Sequence, residues 1–581
     1  MDKFSDIIKK VQKPGRYIGG ETNSIRKSPR KDRTSVVLAY PDTYEVGMSY
    51  LGLRILYHLL NESDDIACER VFMPWDDMEQ ELTSSGIKLF SLETRRAING
   101  FDIIGFSLSY ELTYTNVLSM LKLGGVTVES EKRKDEEPLV IAGGTAAYNP
   151  EPMSKFIDAF IIGDGEEALP RFVDEYRKAG SKTKKRRELL KALSKLDGVY
   201  VPSLYKARYS EGRFLGTAPL EEDVPEKVEK AVVKNLGQAY YPAKQIVPFI
   251  RIVHDRMAIE IMRGCPNRCR FCQASAVNGP LRLRTPHEIR RISRETYKYT
   301  GYERLALLSL SSVNYPKLPE VVKSLTEDFK DKGVAISVPS LRVDEAFYDL
   351  PEMISAIRKT SLTFAPEAAS EVMREALAKN IDLEVLCRSA SVAFQHGWRR
   401  LKLYFMVGFP RESGDEAQNI IKLARRLSDI RKKTSKGGAE IKVSVNSFIP
   451  KPHTPLQWTG MKSIETLAGI RSELIKGSSR KVRVEFHDLE QSLVEASLSR
   501  GDRRLANVIL TAWQKGAKMD GWRDFFNFSI WQEAFKENGL DIYDYASRAF
   551  SLDEVLPWDH IKIALDKSSL KEEFIKSGLK E

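Results

Sequence analysis

Residues 257–272 read MAIEIMRGCPNRCRFC, and this stretch decides how the central part of the chain folds. Its first half is an apolar run, which predicts a buried β-strand. Its second half places Cys265, Cys269 and Cys272 at C-x3-C-x2-C spacing. Three thiolates so close along the chain are soft ligands that can converge on one cluster. An odd number of thiols does not fit disulfide pairing, and a complete zinc site would need a fourth ligand from elsewhere.

Five more strand candidates follow this stretch and alternate with helical stretches, as in an α/β barrel. They are RLALLSLSS (304–312), GVAISVPSLRVD (333–344), TSLTFAPE (360–367), RLKLYFMVGFP (400–410) and IKVSVNSFIP (441–450). Six strands in about 200 residues suit a partial (β/α)6 barrel over residues 255–460 better than a closed eight-stranded one. The carboxyl ends of such strands carry the active site.

The part of the chain before the barrel predicts a Rossmann-like, doubly wound α/β domain over residues 35–194. Its strand candidates are TSVVLAYPD (34–42), FDIIGFSLSY (101–110), PLVIAGGTAAYNPEP (138–152) and DAFIIGDGEEAL (158–169). Ligands of such sheets bind outside the carboxyl ends of the strands. These ends carry Ser107, Gly143, Gly144, Gly163 and Gly165.

Composition bounds the rest of the molecule. The 581 residues include 91 Lys and Arg and 80 Asp and Glu, which gives a net charge of +11. Hydrophobic residues make up 42% of the chain, and this fraction rules out global disorder. The sequence contains no run of about 18 apolar residues, so no membrane span is predicted. The N-terminus lacks the features of a secretory signal. Residues 1–34 are predicted to be a basic arm, either solvated or in contact with a polyanion. Residues 195–254 are predicted to connect the domains, and residues 461–581 to form a small, mainly helical domain.

The cysteine loop, with Phe271 just before the third cysteine, resembles that of the radical S-adenosylmethionine (SAM) superfamily. The resemblance implies that Cys265, Cys269 and Cys272 hold a [4Fe–4S] cluster whose open iron chelates the methionyl group of SAM. Reductive cleavage of SAM then gives a 5′-deoxyadenosyl radical. It also implies an electron donor such as flavodoxin or ferredoxin, and an oxygen-sensitive cluster indicates a reducing cytoplasm.

Other segments resemble the superfamily's SAM-binding motifs in the same order. Ser309, Ser311 and Ser312 correspond to the second-strand motif, which holds the methionyl amino group mainly through backbone groups. Ser337 and Arg342 fall at the fourth-strand position near the ribose or carboxylate. For Arg342, an ion pair with a neighbouring acid is an equal alternative.

Two later segments complete this set. Glu367 resembles the glutamate that binds the ribose hydroxyls, with a helix-start role as the alternative. Val407 and Gly408 resemble the adenine-contact motif, with barrel filling as the alternative. Outside these motifs, His453 is a candidate substrate contact, and Cys387 and Cys68 are interpreted mainly as buried structural thiols.

The first domain resembles the cobalamin-binding domain of the B12-dependent radical SAM enzymes, and the whole chain resembles an uncharacterised family with this arrangement. Its glycines would let backbone approach a corrin closely. The sequence has no Asp-x-His-x-x-Gly motif, the signature of histidine-ligated cobalamin proteins. Cobalamin binding, a domain that keeps the fold without the cofactor, and a domain that docks a substrate therefore all stay open.

Three hypotheses of function follow. The first is a radical SAM enzyme that modifies an unactivated carbon, by methylation as one form, on RNA or a ribosomal component. The second is a cobalamin-dependent radical SAM enzyme of small-molecule or lipid biosynthesis. The third is a non-catalytic iron–sulfur scaffold. The net positive charge favours a polyanionic substrate.

Overall fold

The computed structural model describes residues 3–28, 30–183, 185–339, 362–434 and 437–580. The first domain is built on a six-stranded sheet in the order β2-β1-β3-β4-β5-β6, parallel except for β6. Its strands are β1 (Thr34–Tyr40), β2 (Ile66–Phe72), β3 (Ile103–Ser107), β4 (Leu139–Gly143), β5 (Ala159–Ile161) and β6 (Val199–Tyr200). The order reverses between β1 and β3, and ligands of doubly wound sheets bind at such a switch point.

Helices cover this sheet and its N-terminal approach. They are α1 (Lys3–Ile8), α2 (Tyr44–Gly47), α3 (Leu51–Glu62), α4 (Asp76–Ser85), α5 (Tyr114–Gly124), α6 (Gly165–Lys182) and α7 (Arg186–Leu193). The sequence analysis did not identify β2 or β6. In β2, Arg70 is buried between the carboxylates of Glu21 and Glu93, so a charged side chain lies inside a completely buried strand.

The basic N-terminal stretch is packed against the first domain through apolar residues, while most of its described Lys and Arg side chains are exposed. Ile7 and Val11 are buried. Lys13 and Arg16 both pair with Glu45, and Arg16 is itself buried. Partners inside the first domain therefore neutralise part of this stretch's positive charge.

A hairpin of β7 (Tyr205–Ser210) and β8 (Arg213–Pro219) follows the first domain. The short strand β9 (Val228–Glu229) pairs in parallel with the last strand of the chain, β19 (Ile561–Lys562). The connector and the C-terminal domain are thus joined by main-chain hydrogen bonds.

The barrel part consists of parallel sheets in the orders β10-β13-β14 and β15-β16-β17-β18. The strands are β10 (Met257–Glu260), β13 (Arg304–Leu308), β14 (Ala335–Ser337), β15 (Leu362–Glu367), β16 (Arg400–Val407), β17 (Glu440–Ser447) and β18 (Val482–Phe486), and β11 (Met262–Arg263) pairs with β12 (Arg282–Leu283). The helices are α8 (Gln273–Val277), α9 (Pro286–Thr300), α10 (Leu318–Phe329), α11 (Glu371–Ala376), α12 (Leu383–Gln395) and α13 (Glu416–Thr434).

The six predicted strands are all present, but β18 adds a seventh beyond residue 460. It pairs in parallel with β17, so the second sheet extends into the segment that was predicted to be mainly helical. The C-terminal helices are α14 (Ile464–Lys476), α15 (Leu489–Arg500), α16 (Leu505–Gln514), α17 (Phe528–Glu537), α18 (Ile542–Ser547) and α19 (Lys567–Ser577). Among the described residues, no helix combines the length and the apolar character that a membrane span requires.

Candidate active site

The three cysteines lie in the loop between β11 and α8, at the carboxyl end of the first barrel strand. All three are half-buried. Cys272 caps α8, since its Sγ accepts a hydrogen bond from the Ser275 amide at 3.4 Å. Burial raises the pKa of the Cys272 thiol to about 11, and the nearby Cys269 and Cys265 add to this rise. The three thiols therefore lie close enough to influence one another.

The arrangement of thiols bears on which metal group they fit. Within the described part of the chain, no three His, Cys, Asp or Glu side chains are grouped tightly enough to hold a single metal ion. A cubane cluster places its thiolates on separate irons, so it accepts wider spacing than one zinc ion does. Three half-buried thiols on one loop supply the three thiolates of a [4Fe–4S] cluster with one open iron, whereas a complete zinc site needs a fourth ligand.

Asn267 joins the cysteine loop to the second barrel strand. Its Nδ2 contacts Cys265 Sγ at 3.6 Å, Ser311 Oγ at 3.3 Å and Asn314 Oδ1 at 2.8 Å. The predicted Ser309 bonds to Ser312, and Ser312 Oγ donates to Pro339 O at 2.8 Å. Ser311 and Ser312 are buried, and their carbonyl oxygens accept hydrogen bonds from the amides of Asn314 and Tyr315, so side chains and backbone together hold this loop.

The third strand carries the next predicted residue. Ser337 ends β14, and its hydroxyl donates to Leu305 O at 3.2 Å. This strand pairs directly with β13, so it is the third barrel strand and not the fourth, as the resemblance had placed it. Arg342 lies outside the described residues.

Glu367 ends β15 in a strained conformation. Its φ is 70°, in the left-handed region that non-glycine residues rarely adopt, and the strand register shifts just before it. Burial raises the pKa of its carboxyl group, and Lys379 Nζ lies 3.3 Å from it. Such strain persists only where the surrounding structure holds it, and it concentrates at functional sites.

The residues that hold Glu367 in place were missed by the sequence analysis. The Glu416 carboxylate accepts hydrogen bonds from the amides of Ala369 and Ser370, just before α11. Glu416 thus takes the helix-start role that had been the alternative for Glu367. Lys379 and Glu416 carry no motif, so only their tertiary partners identify them.

The fifth strand ends at Val407 and Gly408. Val407 is buried among barrel residues. Gly408 has φ +87°, and a Cβ there would lie 2.7 Å from Leu467, so no other residue fits without movement. Its amide donates to Glu412 at 2.8 Å. The ring of Phe271 packs against Phe409, with centroids 6.5 Å apart, which brings the cysteine loop to this strand end.

A cavity of about 470 Å³ lies at the carboxyl edge of the first domain's sheet. All five predicted residues of that edge line it, namely Ser107, Gly143, Gly144, Gly163 and Gly165. Residues of the barrel, Glu260, Arg263, Val277 and Leu308, form another part of its wall. The cavity therefore lies between the first domain and the strand that leads into the cysteine loop.

Two of the glycines at this edge have a structural role that the sequence analysis did not identify. A Cβ on Gly144 would lie 2.5 Å from Leu108 O, and one on Gly163 would lie 2.1 Å from Ala231 O. Both have positive φ angles, 112° and 108°. These two glycines are required by close packing of the protein's own backbone, which also shapes the cavity.

Arg263, two residues before Cys265, connects the cavity walls. Its guanidinium pairs with Asp164 at 3.1 Å, with Glu166, and with Glu260 at 2.9 Å. Although burial opposes the change, the guanidinium groups of Arg263 and Arg282 lower the pKa of Asp164. Asp164 and Glu166 belong to the first domain, so this ion-pair cluster fixes the domain to the cysteine loop.

The remaining candidates are buried. His453 is enclosed, and its Nε2 contacts Tyr148 O at 2.9 Å. Burial lowers the pKa of His453 to about 4. Tyr148 lines the cavity, so His453 supports the cavity wall from behind and is not exposed to a substrate. Cys68 and Cys387 are both buried, as structural thiols are.

Two family profiles match the chain, and together they cover more than half of it. The profile described as radical SAM superfamily matches residues 259–424, and the one described as the N-terminal part of radical SAM proteins matches residues 52–202.

Three similar proteins agree with this assignment. An uncharacterised protein of Methanocaldococcus jannaschii is 27% identical over 82% of this chain and 90% of its own length. An uncharacterised methyltransferase of Pyrococcus horikoshii is 23% identical over 65% of this chain and 73% of its own. The fold resembles the radical SAM methyltransferase TsrM of Kitasatospora setae, solved with cobalamin and a [4Fe–4S] cluster, with a TM-score of 0.54 and 12% identity over 87% of this chain and all of that one.

These matches cover both the cysteine loop and the first domain. The radical SAM domain implies a [4Fe–4S] cluster and SAM as cofactors, and the cysteine loop fits the cluster. The chain is therefore a radical SAM enzyme and belongs to the radical SAM superfamily.

Proposed function

We propose that the protein is a cobalamin-dependent radical SAM methyltransferase that methylates an unactivated carbon. The observation that carries this proposal is the 470 Å³ cavity, whose wall includes both the carboxyl edge of the first domain and residues beside the cysteine loop. A cofactor in this cavity would contact both parts at once. Ligands of doubly wound sheets bind at this edge.

The lining of the cavity suits a large, mostly apolar ring with polar edges. Leu38, Ile55 and Phe106 provide apolar surface, and Ser107 and Thr145 provide hydroxyl groups. Within the described residues, no histidine lines the cavity. Cobalamin would therefore be held here without a protein imidazole, in agreement with the missing Asp-x-His motif.

When bound, the [4Fe–4S] cluster, SAM and cobalamin supply the reductive cleavage and the methyl-transfer chemistry. The chain's own residues bind and orient these groups. Cys265, Cys269 and Cys272 hold the cluster, and the backbone around Ser311 together with Glu367 receives SAM. The ion pairs of Arg263 keep the cavity and the cysteine loop in a fixed relation.

The relatives support methylation, since one is described as a methyltransferase and TsrM is a cobalamin-containing methyltransferase. An RNA or ribosomal substrate stays a prediction, as does a flavodoxin or ferredoxin as electron donor. In the basic N-terminal stretch Lys13 and Arg16 share Glu45 as partner, while most of the described Lys and Arg side chains are exposed, so the stretch is compatible with a polyanionic substrate. A small-molecule substrate remains the alternative.

The experiment loads the protein with cobalamin. Anaerobically purified, cluster-reconstituted protein is incubated with hydroxocobalamin and desalted, and the visible spectrum and the ratio of cobalt to protein are measured. We expect close to one cobalt per chain. Ser107→Trp should lower cobalt retention strongly, because the indole fills the cavity at the end of β3, while iron content stays unchanged.

Ser107→Ala is the matched control, since it removes only a hydroxyl group and should retain cobalt. A wild-type protein that keeps no cobalt after desalting would refute the cobalamin proposal. Equal retention by wild type and Ser107→Trp would show that cobalamin binds elsewhere. Neither result would affect the assignment of the cysteine loop.

A further inference from the structure

A second cavity, of about 390 Å³, lies between the β7–β8 hairpin, the end of α15 and residues 544–557. None of its lining residues belongs to the site described above. Four arginines, four acidic residues and three aromatic rings line it. A volume of this size lies within the range of small-molecule sites, roughly 300–1,000 Å³.

Two of the acidic residues are already paired with arginines. The Asp502 carboxylate accepts two hydrogen bonds from Arg504, at 3.0 and 2.7 Å. The Glu554 carboxylate likewise accepts two from Arg548, at 3.0 and 2.8 Å. Such two-bond pairs fix the orientation of both groups. Asp502 and Glu554 are therefore directed at Arg504 and Arg548, and Glu554 and Asp544 act on Arg500 only at longer range.

Arg500 is the buried cation of this cavity, with 1% of its surface exposed. It donates to the carbonyl oxygens of Tyr545 and Ala546, both at 2.7 Å, and of Arg548 at 2.6 Å. Its Nε has no hydrogen-bond partner. Among the described residues, no carboxylate forms an ion pair with it. Burial, together with the nearby Arg548, lowers the pKa of Arg500 to about 9.

A buried guanidinium without a counter-ion is unfavourable, and an anion placed beside it would offset that cost. Aromatic rings hold the arginines in place before any ligand binds. The Phe550 ring lies 4.3 Å from the Arg500 guanidinium and 4.7 Å from that of Arg548. Arg213, which is exposed on β8, reaches the same cavity and has no ion-pair partner among the described residues.

We propose that this cavity binds a phosphorylated small molecule of about the size of a sugar phosphate, with Arg500 and Arg213 as its phosphate ligands. Planar guanidinium groups match the geometry of phosphate oxygens. On Arg500, whose terminal nitrogens already donate to three carbonyl oxygens, the unpartnered Nε is the donor left for a phosphate oxygen. The Phe214 ring supplies apolar surface for the remainder of the ligand. The site does not depend on the methyltransferase proposal, since it shares no residue with the cofactor cavity.

The test measures binding of ribose 5-phosphate, inorganic phosphate and ribose to the cluster-reconstituted full-length protein by isothermal titration calorimetry. We expect saturable 1:1 binding of ribose 5-phosphate, weaker binding of phosphate and none of ribose. Arg213→Ala should weaken binding about tenfold, as expected for the loss of one charge-assisted contact. Arg171→Ala, an exposed arginine on α6, is the control and should bind as wild type does.

Arg500→Lys keeps the positive charge but loses the fixed guanidinium geometry, and it should weaken binding more than Arg213→Ala does. If that variant fails to fold, Arg213→Ala decides the question. Absence of saturable binding at millimolar ribose 5-phosphate would overturn the proposal. So would affinities for Arg213→Ala and Arg171→Ala that are equal to each other, or equal binding of ribose and ribose 5-phosphate.

Discussion

Replacement of Glu416 by glutamine should weaken SAM binding without touching either the cysteines or Glu367. The buried Glu416 carboxylate accepts hydrogen bonds from the amides of Ala369 and Ser370, which closely follow Glu367. These bonds hold the loop in which Glu367 keeps its φ of 70°. Glutamine would turn an NH2 group or a weaker, uncharged acceptor toward these amides.

The size of the effect follows from general hydrogen-bond energies applied to these two bonds. A hydrogen bond to a charged acceptor contributes about 1.5–3 kcal/mol and a neutral one about 0.5–1.5 kcal/mol, so two bonds lose about 2 kcal/mol together. If the whole loss fell on the bound state, affinity would drop roughly thirtyfold. Part of the loss falls on folding stability instead, and we therefore expect a drop of about tenfold.

The assay is equilibrium dialysis of SAM against cluster-reconstituted protein, with iron and sulfide measured per chain. Glu375→Gln is the matched control, because Glu375 lies on the adjacent α11 and its carboxylate is not part of the loop that holds Glu367. This variant should bind SAM as wild type does. Glu367→Gln provides the reference for direct loss of the ribose contact. If Glu367→Gln weakens binding while Glu416→Gln does not, the argument that Glu416 positions Glu367 is wrong.

Three further predictions address the cluster, the fold and pH. Cys269→Ala should abolish cluster binding and SAM cleavage, and a normal iron content would contradict the ligand assignment. Glu21→Ala leaves the buried Arg70 with Glu93 alone and should lower the free energy of unfolding by about 3–5 kcal/mol, seen as a lower melting temperature. The control Lys10→Ala removes a largely exposed ion pair and should change the melting temperature little. Burial lowers the pKa of His453 from 6.5 to about 4. Between these two pH values only the unfolded chain takes up the proton, so the free energy of unfolding should fall by up to about 3 kcal/mol as the pH is lowered from 6.5 to about 4. The melting temperature of His453→Phe should depend less on pH over that range, and equal slopes for both proteins would contradict this.

The sequence predicts strands well where apolar residues follow one another without interruption. The strands β1, β3 and β4 are largely of this kind, and β10 departs from it only at its last residue, Glu260; all four were predicted. In contrast, β2 contains Glu69 and Arg70, whose burial depends on partners elsewhere in the chain. No local pattern signals such a strand, because long-range ion pairs compensate for the burial of its charges. The VRVEF segment of β18 was missed because its alternating pattern is short and lies among helices.

The same distinction applies to the site. Spacing alone identified the cysteine loop, because three thiols at this spacing are typical of a metal or cluster site. Lys379, Glu416 and Arg263 carry no such signal, since charged residues on helices and strand ends usually face solvent. In the basic N-terminal stretch, Arg16 is buried against Glu45, which no local pattern signals, whereas most of the other described Lys and Arg side chains are exposed.

The cluster of ion pairs around Arg263 has a chemical consequence for how the two halves of the enzyme act together. Arg263 lies two residues before Cys265 and pairs with acids from both the first domain and β10. Buried ion pairs contribute little net stability compared with apolar packing, but removal of one partner is costly. Any arrangement that separates Arg263 from these acids would leave a largely buried charge unpaired, which disfavours it. The proposed methyl transfer needs its two cofactors in a fixed relation, since misplacement by about 1 Å can cost roughly a hundredfold in rate. Under the proposed function, the ion pairs of Arg263 would hold the cavity and the cysteine loop in one arrangement.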